Sequence, residues 1–500
     1  MQLRVQVAVL VVVGVVLVVG AAVVHACFGQ VFGRLLDGRL MLVPGSKTLE
    51  SFKAPPVPIL MQFYLFNVTN SQAVVGGAAP VLQQLGPYTY EEKPLKYNLT
   101  FDDAEGTVTY LQNKTFYYRP DLSPGVALTD QVTTVNAVMM SLGAKLASRN
   151  AAFRAVVQLW FTRFSQEPFV TRSVRELLFD GYEEPLLRQL ADLTKDPEHA
   201  TGRFGFYRKN NTNDGTYTVY TGVRGMDQYQ HIARWRGDPQ IHFWKGDAWG
   251  GDTCNMINGT AGTQFPRPLS RGTPLRLYVA ELCRSIYAEY QRDVQHGALT
   301  LYRYVLPKRL LANTPDNKCY CSDPFTCRAS MINVAPCRKG APVVVSTPHF
   351  YQGDPEDLLQ VQGLAPREQE HETFLDVEPN TGVVFRAAKR IQVNLVMSQY
   401  GDLPAFRGLP QVILPVLWVN ESAEVPLQRT KALHRTLTLP FTLVRVGVGV
   451  MAALGLALLL VAALKLWLAR RRHNNTTRTP QLHKEKEKTA TQKLNDRNFS

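Results

Sequence analysis

The chain has 500 residues, 45% of them hydrophobic and 19% charged, with a formal net charge of +14. That length allows one large core or two modest ones. Arg470–Ser500 alone holds nine Lys/Arg against three Asp/Glu, so much of the positive excess is confined to one end, which argues against a nucleic-acid surface.

Residues 1–4 precede an apolar stretch, Val5–Phe28, broken only by Gln6 and His25. A second, Val446–Leu464, lies within a predicted span 444–466, and residues 467–500 form a basic tail. A bilayer core of about 30 Å takes roughly 20 apolar residues as helix, and both stretches meet that length. The first exceeds the roughly 7–15 apolar residues of a signal peptide, and Ala22-Val-Val-His-Ala26 is a poor cleavage site, so it is expected to stay as an anchor. Arg4 and Arg470–Arg472 flank the spans and place both termini in the cytosol. Lys465 can snorkel to the interface. Residues 29–443 then form one large loop on the far side. Gly447, Gly449 and Ala453 offer small faces for packing on the first span or on a second copy, which leaves a homo-oligomer open. The tail is polar and is expected to lack regular structure. Its basic residues suit anionic lipid heads.

Within the loop, Pro55-Pro-Val-Pro58 breaks the chain before strand-like runs at Met61–Val68, Thr107–Tyr118 and Gly215–Thr221. Helical spacing of apolar residues marks Val132–Leu142, Ala151–Phe164, Ser173–Leu178 and Pro185–Leu193. Strands return at Pro342–Ser346, Gly382–Val396 and Gln411–Val419. In Gly382–Val396, Val383, Phe385, Ala387, Ile391, Val393 and Leu395 alternate with Arg386, Arg390, Gln392 and Asn394, as a half-buried strand requires, with Lys389 the exception. The pattern reads as α+β, a large antiparallel core with a helical insertion over residues 132–193.

Six of seven cysteines lie in the loop: Cys254, Cys283, Cys319, Cys321, Cys327 and Cys337. An even number away from the cytosol implies disulfides, and spacing alone leaves the pairing open. Cys319, Cys321 and Cys327 lack the second pair a zinc ribbon needs. Cys27, in the first span, is expected to be a buried free thiol. Sequons at Asn67, Asn98, Asn113, Asn210, Asn258 and Asn420 fit a glycosylated loop. Those at Asn474, Asn475 and Asn498 should stay bare in the cytosol. His371 with Glu370, Glu372 and Asp376 could suggest metal or acid–base chemistry, but the spacing is not that of H-E-x-x-H, and no G-x-S-x-G elbow occurs. A surface-loop salt network, no cofactor, no metal and no enzymatic activity are expected.

Several segments together resemble the class B scavenger receptor family: Gln62-Phe-Tyr-Leu-Phe-Asn-Val-Thr-Asn70, Gly86-Pro-Tyr-Thr-Tyr90, Arg175-Glu-Leu-Leu178, Cys254-Asn-Met-Ile-Asn-Gly-Thr260, Cys283-Arg-Ser-Ile-Tyr287, Pro348-His-Phe350 and Trp418-Val-Asn-Glu-Ser422. They run in family order through the loop. Asn211-Thr-Asn-Asp-Gly215 and Glu370-His-Glu-Thr-Phe374 are most similar to the lysosomal member, Cys319-Tyr-Cys321 to the fatty-acid translocase. The resemblance implies bridges Cys254–Cys319, Cys283–Cys337 and Cys321–Cys327. It also implies a β-barrel-like ectodomain pierced by a lipid tunnel, and ligand docking on the helical bundle.

Lys145, Arg149, Arg154, Arg163 and Arg172 are opposed over that stretch by Glu167 alone, a one-sign cluster that attracts anionic partners. Lipids, lipoproteins or anionic phospholipid particles are the expected ligands, and lipid uptake or transfer the expected role. Where the lysosomal member carries an acid-sensing histidine, this chain has Ala151. No histidine occurs between His25 and His199, and the tail has no acidic dileucine or Tyr-based sorting signal. The plasma membrane is therefore the expected location, with a lysosomal or endosomal receptor for enzyme cargo or lipid export as the alternative. Protease added to intact cells should release a large glycosylated fragment while a tail epitope stays protected. Cleavage of that epitope from outside would refute the two-span topology.

Overall fold

The computed structural model describes residues 2–147, 149–194, 201–208, 210–245, 253–321 and 323–495, the side chains of 193, 194 and 473–495 excepted. It divides into two units, Met1–Gly38 with Ala432–Ser500, and Arg39–Lys431.

In the first unit, helices Gln2–Leu40 and Leu439–Asn495 carry the apolar stretches. Both are long and apolar enough to cross a membrane. Gly14 and Gly455 bring their backbones into contact. A Cβ on Gly14 would stand 3.0 Å from Gly455 O, and one on Gly455 would stand 2.8 Å from Gly14 O. Such small residues allow the close van der Waals packing that associates helices in lipid. Lys465 Nζ donates to Gln6 Oε1 at 3.4 Å, and Phe441 packs edge-on against Phe28 and Phe32. Gly447 and Gly449, expected to offer the packing face, have no neighbour within 4 Å. The buried stripe instead holds Gly455 and Ala462, two turns apart on one side of the helix. Cys27 is exposed rather than buried. The tail, expected to be irregular, continues as helix to Asn495, in keeping with the strong helix formers of Lys484-Glu-Lys-Glu-Lys488. The sequon at Asn498 lies outside the described residues.

The second unit is built on an antiparallel sheet, thirteen-stranded among the described residues. Its first strand, Ile59–Val68, pairs with its last, Val412–Glu424, from Ile59 opposite Ala423 to Leu65 opposite Leu417. Leu82–Asp102 flanks the pair on one side and Val384–Met397 on the other. The two ends of the sheet, Leu275–Val279 and Ile232–Trp235, are joined through Gly259 and Thr260. Ile232 N donates to Gly259 O at 2.9 Å, Thr260 N to Arg276 O at 3.1 Å and Tyr278 N to Thr260 O at 3.0 Å. The sheet is thereby nearly closed, and closure removes open edges. Three disulfides, Cys254–Cys319, Cys283–Cys337 and Cys321–Cys327, tie the segment beyond this closure.

Part of the insertion departs from the helical expectation. Val132-Thr-Thr-Val135 belongs to strand Gln131–Val135, paired with Phe169–Ser173, because β-branched residues suit a pleated strand. Asn136 then caps helix Ala137–Leu146, its Oδ1 accepting from Met139 N at 3.0 Å. Asn150 caps helix Ala151–Arg163 in the same way. Ser173 ends a strand, but residues 174–178 are helical as expected and run on to Asp180 as a π-helix. Helix Pro185–Thr194 matches its pattern.

The strand Val384–Met397 is covered on both faces, which the alternation did not predict. Gln392 and Asn394 are fully buried. Gln392 Oε1 accepts from His349 N at 2.7 Å, and Asn394 Nδ2 donates to Val344 O and Ser346 Oγ at 3.0 Å. Each buried polar group thus gains partners. His371 is also buried, and stacks on His349 with ring centroids 4.4 Å apart. Of the expected surface network only the Arg367–Glu370 pair lies at the surface, while Asp376 is buried against Arg303. His349 Nδ1 accepts from Ala365 N, so Nε2 carries the proton and donates to Gln84 Oε1 at 2.7 Å. Trp418 Nε1 donates to the same oxygen at 2.7 Å.

Gly259 has φ +98°, and a Cβ there would stand 2.1 Å from the Arg276 carbonyl. Gly259→Ala should cost about 2–3 kcal/mol in strain and lost closure bonds. A lowered thermal midpoint of the purified protein would show it, and an unchanged midpoint would contradict the closure. The histidine pair predicts acid sensitivity. Burial holds both imidazoles down at about 4, against about 6.5 in an unfolded chain. Stability is complete above about pH 6.5 and is lost as pH falls toward about 4, because only the unfolded chain then takes up the protons. The loss is about 3 kcal/mol per histidine. Thermal melts of the purified protein across that window should show the decline, and His371→Gln should flatten it.

Candidate functional site

The five basic residues lie on different elements. Lys145 is exposed at the end of helix Ala137–Leu146, and Arg149 is exposed in the link that follows. Arg163 is exposed at the end of helix Ala151–Arg163, its guanidinium over the Phe164 ring. Arg154 is half-buried near Gly401. Arg172 lies outside the helices, on strand Phe169–Ser173, with its guanidinium 4.9 Å from the Tyr182 ring centre. Among the described residues, Arg149, Arg154 and Arg163 enter no ion pair, so their charge is available to a partner. Helix Ala151–Arg163 also exposes Val156 at 45% and Leu159 at 68%. Sequence reasoning missed this apolar strip, although Val156, Val157 and Leu159 spread around more than one helical face.

A second feature lies inside the barrel. Register shows which side chains share the inner face. Lys389 is opposite Glu421, Glu421 opposite Met61, Met61 opposite Tyr90, and Glu92 opposite Phe116. Lys114 shares the face of Phe116 by alternation. Glu281 reaches the same place from the turn after Leu275–Val279. The five charges form a chain: Glu92 to Lys114 at 3.0 Å, Lys114 to Glu421 at 4.0 Å, Glu421 to Lys389 at 3.2 Å, and Lys389 to Glu281 at 3.0 Å. Beside it stands an aromatic wall. Tyr207 lies 4.8 Å from Phe63, and Phe179 lies 4.6 Å from Tyr90 and 5.3 Å from Phe116. Although they face inward, the side chains of Lys114, Lys389 and Glu281 are 36%, 30% and 44% exposed, so water reaches the inside of the sheet.

Burial would raise the Glu281 carboxyl, but Lys389 and Lys114 outweigh it and bring the group down to about 2. Burial likewise opposes the charge on Lys389, and Glu281 and Glu421 override it, holding that ammonium well above its ordinary value. Glu92 moves the other way, pushed up by burial that Lys114 offsets only in part. Sequence analysis had marked Lys389 as the exception in its strand, and a charge on an apolar face was the available signal for an inner ion pair. The other four members gave none.

The sequons are spread over the unit. Asn98 and Asn210 are exposed, whereas Asn67, Asn113, Asn258 and Asn420 are half-buried. Asn67 Oδ1 accepts from Thr133 N at 2.9 Å, and Asn420 Nδ2 donates to Gln62 Oε1 at 2.9 Å. Among the described residues no group of three His, Cys, Asp or Glu is placed to hold a metal ion.

The sequence pattern of the CD36 family matches residues 11–466. Lysosome membrane protein 2 of Homo sapiens is 32% identical over 428 residues, covering 84% of this chain and 87% of the relative. Scavenger receptor class B member 1 of Bos taurus is 31% identical over 401 residues, covering 79% of this chain and 76% of the relative. The matched stretch takes in most of the first apolar helix, the whole sheet and the second apolar stretch, and the chain belongs to the CD36 family.

Proposed function

We propose that the chain is a scavenger receptor that binds lipid or lipoprotein particles at its exposed basic residues and accommodates lipid inside the barrel. The observation that carries this reading is the wet inner face with its aromatic wall of Phe63, Tyr90, Phe116, Phe179 and Tyr207. A sheet closed for stability alone would fill its interior with apolar side chains. Capture rests on Arg149 and Arg163, exposed and outside any ion pair among the described residues. Oxidised phospholipids, phosphatidylserine and the acidic groups of lipoproteins are suitable partners, and Val156 and Leu159 supply apolar contact between the arginines. The plasma membrane, with both termini cytosolic, is the location that best suits such capture. A lysosomal or endosomal membrane is the second reading, favoured by the match to lysosome membrane protein 2 over 84% of the chain. Against acid-released enzyme cargo stands Ala151, exposed where a histidine would be needed.

Exposed charges are screened over about 8 Å at physiological salt, so capture should weaken as salt rises. Changing Arg149 and Arg163 together to Glu should lower binding of phosphatidylserine vesicles to the full-length receptor about tenfold or more without changing its thermal midpoint. Binding should differ little between neutral and endosomal pH, because the bundle has no histidine. Equal affinity of variant and parent would remove the helices as the docking surface.

A further inference from the structure

Arg284 is a buried cation without a counter-ion. It opens strand Arg284–His296, directly after Cys283, and is 6% exposed. Its Nη2 donates to Asn317 Oδ1 at 3.1 Å and its Nε to Ser285 O at 3.3 Å, both neutral acceptors. The guanidinium lies 3.6 Å from the centre of the Tyr320 ring. Among the described residues it enters no ion pair. Burial pulls the group below its ordinary value, and only the Tyr320 and Tyr287 phenols oppose that, both uncharged at neutral pH.

The other buried cations of this unit are accommodated differently. Arg303 makes two bonds of 2.7 Å to the Asp376 carboxylate. Lys96, also 6% exposed, answers its burial by giving up affinity for its proton, which brings it down to about 8. An arginine cannot follow that route, because it keeps its charge at any physiological pH. Burying a charge is costly unless it is paired. Arg284 therefore calls for an anion from outside the chain.

A cavity opens beside it, with Arg284, Asn313, Asn317, Thr326, Cys321 and Cys327 among its walls, and it measures about 20 Å³. By that measure a water molecule needs about 10–15 Å³. The space thus takes one particle of roughly that size, and it excludes phosphate, sulfate or a lipid headgroup. Water would accept from the N–H groups that Asn317 and Ser285 leave unused, but it brings no charge. A monatomic anion does both. The disulfides converge on this place: Cys283 precedes Arg284, Asn317 stands two residues before Cys319, and the Cys321–Cys327 bridge forms part of the wall.

We propose that Arg284 and the cavity beside the Cys321–Cys327 bridge form a binding site for a monatomic anion of the chloride class. The bound ion neutralises the guanidinium and fastens the disulfide-tied segment to strand Arg284–His296. The site uses none of the residues assigned to lipid capture, so it stands or falls independently of that reading.

Thermal melts of the detergent-solubilised full-length protein in sodium chloride and in sodium isethionate, at equal ionic strength, separate binding from screening. Chloride should raise the midpoint by about 1–3 °C on approaching about 150 mM and then level off, whereas isethionate is too large to enter and should not. Asn313→Asp tests the cavity with Arg284 in place. Asn313 is exposed and makes no side-chain hydrogen bond among the described residues, so the substitution removes no contact. A carboxylate there supplies the missing charge, repels a second anion, and should abolish the chloride response. Arg284→Gln should abolish it as well, and where that variant does not fold, Asn313→Asp alone decides. A parent midpoint that is the same in both salts, or a chloride response that persists unchanged in Asn313→Asp, overturns the site.

Discussion

The pairing of strand Ile59–Val68 with strand Val412–Glu424 is the contact on which the rest of the second unit depends. It joins the first strand of the sheet to the last and sits at its middle, with Leu82–Asp102 and Val384–Met397 on either side. One face of the pair carries Phe63 into the barrel, and the other stacks Tyr64 on Trp418 at 3.9 Å with the rings nearly parallel. A pairing so distant in sequence must overcome a large loop-closure entropy before it is rewarded. The return comes from two faces at once, since the strands are packed both inside and outside the barrel. Loss of this pair would divide the sheet at its centre, and neither half would retain an inner face.

The same pairing places charge where stability alone would not. Taking ions out of water costs several kcal/mol each, and well-packed apolar residues often stabilise a core more than an ion pair does. Lys389 and Glu421 are nonetheless directly opposite one another on the inner face. They are tolerable because the interior stays wet and the members neutralise one another. The aromatic wall next to them is apolar, so the inner face is amphipathic across a few strands. That combination suits an occupant with a chain and a headgroup better than it suits a sealed core.

Much of the architecture was legible in sequence where pattern and burial agree. The two apolar stretches became the long terminal helices. Thr107–Tyr118 and Pro185–Leu193 emerged with the expected type. Legibility failed where a second layer intervenes. Gln392 and Asn394 read as solvent-facing, yet the segment from Val344 to His349 covers them and satisfies their amides. Val132–Val135 followed a helical spacing, but its β-branched residues went to the strand opposite Phe169–Ser173. Of the candidate site, the basic residues could be read from composition, whereas their dispersal could not. Arg172 is separated from Arg163 by the chain reversal that ends its helix. The inner ion chain was nearly invisible, since register across five strands brings its members together and no local spacing encodes that.

Acid and salt act on different parts of this molecule. The arginines proposed for capture are exposed, so salt screens their charge. The scaffold responds to acid. His349 and His371 lie outside the barrel but under its second layer, with Trp418 beside both and Gln84 bonded to His349 and to Trp418. A proton added at His349 Nδ1 would displace the Ala365 N–H that now donates to it, and would charge a ring stacked on a second imidazole. Buried polar groups deprived of a partner are costly whatever their distance from a ligand. Acidification therefore strains the layer that supports the central strand pair.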